Sequence, residues 1–303
     1  IPNFACPGIP DERLFEVVVS QAREAEESGF DTVLVMDHFY QLPIIGEPDN
    51  AMLESYTTLA ALARETSSVQ LSALVSGNTY RNPALLAKTV TTLDVVSGGR
   101  AVLGIGAGWF EQEHHDYGFE YGTFTQRFER LEESLRIIGP MLRGQNPTFA
   151  GDWYQVENAM NNPRLRPSIP IMIGGSGERK TFRLAAHYAD HLNIICNRKD
   201  IPGKLTALRQ RCEEADRDPA TLPTSYLASV VLVESADQAA TLLDRMSPGQ
   251  REGVFVGTPD QVADSLQRDV LAHGIDGLVI NMVHNGHQPG VIAAAGRCLR
   301  PLV

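Results

Sequence analysis

"DTVLVMDHF", residues 31–39, runs a short β-branched and apolar segment straight into an acid and an imidazole. Runs of this length and composition, bounded by polar residues, read as strands. The helical pattern before it, 11–28, stops at Gly29 in "AREAEESG", a glycine placed where helices end. Helix, glycine, strand and polar end then recur along the chain. Candidate strands lie at 1–5, 31–36, 69–75 ("VQLSALV"), 101–106 ("AVLGIG"), 169–174 ("IPIMIG"), 191–195, 224–233 and 277–282. Helical periods fill 11–28, 52–66, 83–96, 124–142, 178–188, 200–216, 259–273 and 288–299, the seventh of them closing at Gly274.

Eight strands alternating with eight helices predict a single α/β domain over 1–303, a (β/α)8 TIM barrel, since a doubly wound nucleotide-binding sheet stops at roughly six or seven strands. Three excursions interrupt the repeat, at 109–123, 143–168 and 246–257. The second is rich in Gly, Pro and Asn and carries the pair Trp153-Tyr154. "IPNFA" opens without a methionine in what reads as the middle of a strand, so the first strand is expected to be truncated.

Composition narrows the function. With 43% hydrophobic and 21% charged residues the chain matches ordinary globular proteins. It has no apolar stretch near the roughly 20 residues that span a bilayer. A net charge of -11 with scattered basic residues argues against nucleic acid. Cys6, Cys196, Cys212 and Cys298 stand far apart with no CxxC pair, which fits a reduced, cytoplasmic protein.

A barrel places its active site at the C-terminal ends of its strands. That rule picks out Asp37 and His38, then Ser76-Gly77-Asn78, Ala107-Gly108-Trp109, Gly174-Gly175-Ser176-Gly177, Asn193 to Asn197 and Asn281. Each has a plainer reading. Asp37 can cap a loop with His38 exposed, and "GGSG" can be a turn as readily as an anion site before a helix. "LGIGAGWF" holds GxGxG, but Trp109 and Phe110 stand where a dinucleotide fingerprint needs glycine and close helix packing. Its small residues read better as room for a planar ring against the backbone. His114-His115, His284 and His287 come without the carboxylates at i, i+4 spacing that would complete a metal site, and no GxSxG or Cys-His signature marks a hydrolase.

"GFDTVLVMDHF", "SGNTYRNPALLAKTVTTLDVVSGGRAVLGIGAGWFEQEHHDYG", "RFERLEESLRII" and "PIMIGGSGERKTFRLAAHYADHLNI" together resemble the luciferase-like monooxygenase superfamily, and within it the F420-dependent oxidoreductases. The resemblance implies F420 in the barrel mouth, with FMN as the alternative cofactor, a small-molecule substrate and a homodimer. It implies that His38 sits beside the hydride-carrying carbon and that Asp37 contacts the ring or orients the histidine. A non-proline cis peptide is expected behind the ring at Ala73-Leu74, just before Ser76. Ala107 and Gly108 are expected against the ring, and Gly174, Gly175, Ser176 and Gly177 around the phosphate, with Arg179 or Lys180 adding charge. Arg198 and Lys199 are further candidates for an anionic tail.

Two positions depart from the sugar-phosphate and alcohol dehydrogenases of that group. Trp109 stands where they carry an acid, and "YQLP" (40–43) where they carry a tryptophan. Trp109 reads as an apolar lid suited to a hydrophobic substrate, or as a core residue. Besides F420-linked hydride transfer, the sequence leaves open an FMN monooxygenase and a barrel that binds the cofactor without turnover.

Overall fold

Strands of a parallel sheet covered on both faces are largely apolar, and most of the predicted apolar runs form strands. In the computed structural model, which describes residues 1–302, they are β1 (Thr32–Val35), β2 (Gln70–Ala73), β3 (Ser76–Gly77), β4 (Leu103–Gly106), β5 (Phe149–Ala150), β6 (Gln155–Val156), β7 (Ile171–Gly174), β8 (His191–Ile194), β9 (Thr224–Leu232), β10 (Val254–Gly257) and β11 (Gly277–Asn281). All pair in parallel except the β5–β6 hairpin. β3, β4, β7, β8 and β9 follow one another around the wall, β11 joins β9, and β1 pairs with β2. A bridge between Leu71 and Ala101 ties β2 to the segment leading into β4. The architecture is the α/β barrel that the strand count predicts.

The helices cover the wall at 14–27, 55–65, 83–97, 124–142, 181–188, 201–214, 259–269 and 291–299. Their ends follow the sequence signals. Asn82 caps the helix that Pro83 starts, and Gly98, in the left-handed region at φ +72°, closes it. Between wall and helices lies the core, where Leu71, Leu103, Ile105, Ile173 and Leu192 meet Leu62, Leu86, Ile138 and Phe182. Burying one such side chain stabilises the fold by roughly 1.5–3 kcal/mol, so this shell holds the barrel together and leaves the mouth free for polar chemistry.

Two predicted strands differ. Residues 1–5 form no ladder; Pro2 has no N–H to give one, and the segment is tied instead by the amine of Ile1 to the Leu34 carbonyl and by the Asn3 amide to Val283 O at 3.5 Å. A cavity of about 430 Å³ runs along this seam into the barrel, touching Ile1, Leu34, Ser72, Met172, His191 and Ser225. Asn281 lines it too, but His38, Glu113 and the 174–177 turn do not, so the candidate site rests on the chemistry of the mouth.

The second difference is in 69–75, where pairing breaks after Ala73 and resumes at Ser76. The excursions acquire structure of their own. Residues 143–168 carry the β5–β6 hairpin, whose turn donates the N–H groups of Asp152, Trp153 and Tyr154 to Glu133. Residues 246–257 add β10, which pairs with the last four residues of β9 while β11 pairs with residues 225–229. Residues 109–123 contain the helix Glu111–Tyr117.

Candidate active site

β1 ends at Val35 and delivers Asp37 and His38 to the rim. Asp37 is buried and already saturated. Its Oδ1 accepts from Ser55 Oγ at 2.6 Å and Arg81 Nη2 at 2.8 Å, and its Oδ2 from Gly77 N at 2.9 Å and Arg81 Nη1 at 2.6 Å. A carboxylate offers about four acceptor positions. The expectation that Asp37 orients His38 is therefore corrected: its carboxylate makes no hydrogen bond to the imidazole and locks the loop after β1 to the segment at and after β3.

The acid that His38 meets is Glu113, which the sequence reading passed over. His38 Nδ1 lies 2.9 Å from Glu113 Oε2, and the carboxylate is fully buried. It also accepts from Tyr80 OH at 2.6 Å, Tyr40 N at 3.1 Å and Phe39 N. Burial alone pushes the Glu113 carboxyl up, but the hydrogen bonds from His38 and Tyr80 outweigh it and hold the group below the ordinary carboxylate range. Burial, with the bond to Glu113, pushes the Tyr80 phenol well above its usual value, so it stays a donor. One signal in the sequence points to Glu113. Phe110, Glu113, His114 and Tyr117 share one helical face, which puts a carboxylate on the inward side of an aromatic stripe.

The non-proline cis peptide is Leu74-Val75, one bond later than the predicted Ala73-Leu74. Ala73 is buried, Leu74 partly so, and the Ser76 hydroxyl pairs with Tyr56 OH at 2.7 Å. The glycines of "LGIGAG" serve this bulge. A Cβ on Gly106 would sit 2.8 Å from Val75 Cγ2, one on Gly174 2.7 Å from Val75 Cγ1, and one on Gly104 2.0 Å from Ala73 O. At Gly104, Gly106 and Gly174 the missing Cβ thus makes room for the Ala73 carbonyl and for Val75, a need the sequence reading did not anticipate.

Ala107 is partly buried, and Gly108 turns at φ +78° with Thr79 Oγ1 2.6 Å from where a Cβ would be. Trp109 is no core residue. It is 60% exposed, packs on Phe110 at 5.3 Å and meets the His38 ring edge-on at 5.7 Å. Phe110 meets the same imidazole at 5.8 Å. Aromatic walls thus flank the imidazole that the loop after β1 presents.

On the opposite rim, Gly174 ends β7 and Gly175 N donates to Asn193 O at 3.0 Å. Among the described residues no protein acceptor takes the N–H of Ser176 or Gly177, which leaves two backbone donors ahead of the helix Thr181–Tyr188. Lys204 reaches this turn from another helix, donating to Ser176 O at 3.0 Å and Glu178 Oε1 at 2.8 Å. The predicted cations are mostly engaged elsewhere. Lys180 lies over the Phe124 ring at 5.3 Å, Arg198 over Phe255 at 4.9 Å, and Lys199 pairs with Glu252 at 3.0 Å. Arg179 is exposed.

Inside the wall, register places Gly174, Asn193 and Ser225 in one layer and Asn281 beside Ser229 on the same face. Asn193 donates to Ser225 Oγ at 2.8 Å, yet its Oδ1 and that of Asn281 are buried without a protein partner. Orphaned carbonyls at strand ends call for an N–H from a bound group. A cofactor ring edge bearing N–H groups, with an anion on a nearby arm, fits this donor and acceptor set.

Comparison with known proteins follows the same lines. F420-dependent glucose-6-phosphate dehydrogenase of Amycolatopsis mediterranei is 35% identical over 161 residues, 53% of this chain and 47% of that enzyme. The chain thus matches about half the length of that relative. 5,10-Methylenetetrahydromethanopterin reductase of Methanolobus tindarius is 28% identical over 278 residues, 90% of this chain and 76% of the reductase. The solved F420-dependent secondary alcohol dehydrogenase, in complex with an F420-acetone adduct, superposes with a TM-score of 0.81 at 20% identity over 95% of each chain, which speaks for the fold. The family profile described as Luciferase-like monooxygenase matches residues 8–251, a span that takes in the rim from β1 to β9 with both of its loop systems. The chain belongs to the luciferase-like monooxygenase family.

Proposed function

We propose that the protein is an oxidoreductase that uses F420 to transfer a hydride to or from a small, largely apolar organic substrate at the barrel mouth. The observation that carries this reading is His38, held by a buried carboxylate between Trp109 and Phe110, with no protein group on its Nε2 among the described residues. When bound, the deazaflavin supplies two-electron hydride chemistry at its ring. The chain supplies the rest. His38 holds or moves a proton at Nε2, while Asn193 Oδ1 and Asn281 Oδ1 accept from the ring edge. The backbone at Leu74-Val75 and Ala107-Gly108 shapes the walls, and Ser176 and Gly177 donate to the phosphate arm. Trp109 and Phe110 exclude water and present an apolar face to substrate.

F420-dependent relatives at 35% and 28% identity support the cofactor. The second reading is an FMN-dependent monooxygenase. It is favoured by the engagement of Lys180, Arg198 and Lys199 within the protein, because FMN asks only for a phosphate site while F420 carries further carboxylates.

Calorimetric titration of the cofactor-free protein with F420 and, separately, with FMN tests the choice. F420 binding is expected, and FMN binding with no F420 response overturns it. Stopped-flow oxidation of bound reduced F420 against enones and imines then separates enzyme from carrier. Decay no faster than in buffer with every acceptor would make the barrel a carrier.

A further inference from the structure

We propose that Glu113 is a positioning residue that fixes His38 as the Nδ1–H tautomer, so that Nε2 is the one ring nitrogen able to take up or give back a proton at the mouth. The inference rests on the reading that His38 faces the reacting edge, but its geometry stands without a cofactor. Glu113 Oε1 receives the N–H groups of Phe39 and Tyr40, which can only donate. Its Oε2 receives the Tyr80 hydroxyl at 2.6 Å and faces His38 Nδ1 at 2.9 Å. For Nδ1 to accept, the carboxyl would have to carry a proton on the very oxygen that Tyr80 already donates to. The donors around it keep Glu113 ionised, so Nδ1 carries the hydrogen.

No other group can take over this duty. Asp37, the neighbour in sequence, has its oxygens filled by Arg81, Ser55 and Gly77. His114, the neighbour of Glu113, is spent on Phe110 O at 2.8 Å and Thr79 Oγ1 at 2.6 Å. Trp109 and Phe110 set the imidazole plane edge-on to their rings without offering an acceptor. A proton arriving at Nε2 makes an imidazolium that faces a buried carboxylate, and none passes to Glu113. The acid that this chain lacks at Trp109 is thereby replaced in effect, though not in position, by one behind the histidine.

Long-range proton–nitrogen NMR on cofactor-free protein with ¹⁵N-labelled histidine reads the tautomer directly, with His38→Asn assigning the signals. In the wild type, neutral His38 is expected to be protonated at Nδ1 and bare at Nε2. The opposite pattern overturns the proposal without any Glu113 variant. In Glu113→Gln the carboxamide oxygen keeps the two backbone donors and its NH2 turns to Nδ1, so the hydrogen should move to Nε2. F420-linked turnover should fall about 100-fold or more, with F420 affinity changed less than about threefold.

Tyr80→Phe removes a donor but leaves the carboxylate, and should keep the wild-type tautomer. A Glu113→Gln protein that retains Nδ1–H, or loses turnover and affinity together, reduces Glu113 to a structural contact. Because the spectra need no cofactor, failure of F420 to bind would count against the proposed function and leave the tautomer result standing.

Discussion

On the β1–β3 side of the mouth the two buried acids are saturated: Asp37 by Arg81, Ser55 and Gly77, Glu113 by His38, Tyr80 and two backbone N–H groups. On the β7–β8 side the Gly175-Ser176-Gly177 turn keeps backbone donors free, and most nearby cations are bonded to other parts of the protein. The first side is ordered before any ligand arrives, as a reacting edge requires. The second offers unpaired backbone donors, which on the proposed reading would take the phosphate of either cofactor. If the proposed function holds, chemistry and cofactor choice lie in different walls of one barrel.

The largest expected effect breaks the ordered side at its tip. His38→Ala should lower steady-state turnover by about 10²–10⁴-fold while cofactor affinity by calorimetry shifts less than about threefold. Equal losses in both would make His38 a binding contact. Next comes the lock behind it. Asp37→Asn strands the Arg81 guanidinium and should cost about 3–5 kcal/mol in urea unfolding. A loss below about 1 kcal/mol would mean that Glu54, already 2.8 Å from Arg81 Nη2, takes over the pairing.

A smaller effect appears with pH. Because the folded Glu113 carboxyl lies below its ordinary value of 4.5, its contribution to stability is fully present above that value and is lost as pH falls through the lowered one. Glu113→Gln should therefore show a shallower fall in melting temperature below pH 4.5 than the wild type. An unchanged slope would place the acid sensitivity elsewhere. The smallest effect belongs to the permissive side. Lys204→Met loosens the turn at Ser176 and should weaken cofactor binding by less than about tenfold. A larger loss would show that this wall, too, depends on one fixed side chain.

How much of this the sequence carries follows from the distance over which each signal acts. Strand ends, the Gly98 stop and the position of His38 depend on neighbours within a few residues, so the barrel and the imidazole were legible. The acid behind His38 was not, since 75 positions separate the pair and Glu113 sits on a seven-residue helix inside an excursion. Asp37 misled for the same reason. Adjacency made it look like the partner of His38, whereas Arg81, 44 positions away, claims it. The glycines of "LGIGAG" were marked as special, but what crowds them, Ala73 O at Gly104, Val75 at Gly106 and Thr79 at Gly108, lies in the segment from β2 to the turn after β3. Lys204 joined the turn only through the packing of its helix.

Trp109 has one more consequence. The sequence holds two tryptophans, and the other, Trp153, lies under the Arg130 guanidinium at 4.4 Å on the β5–β6 hairpin. Trp109 is therefore a built-in optical probe at the rim, emitting from a largely hydrated indole until a flat chromophore settles beside it. A flat chromophore that docks against His38 is expected to quench that emission, and Trp109→Phe should lessen the quenching seen on titration with F420 or FMN.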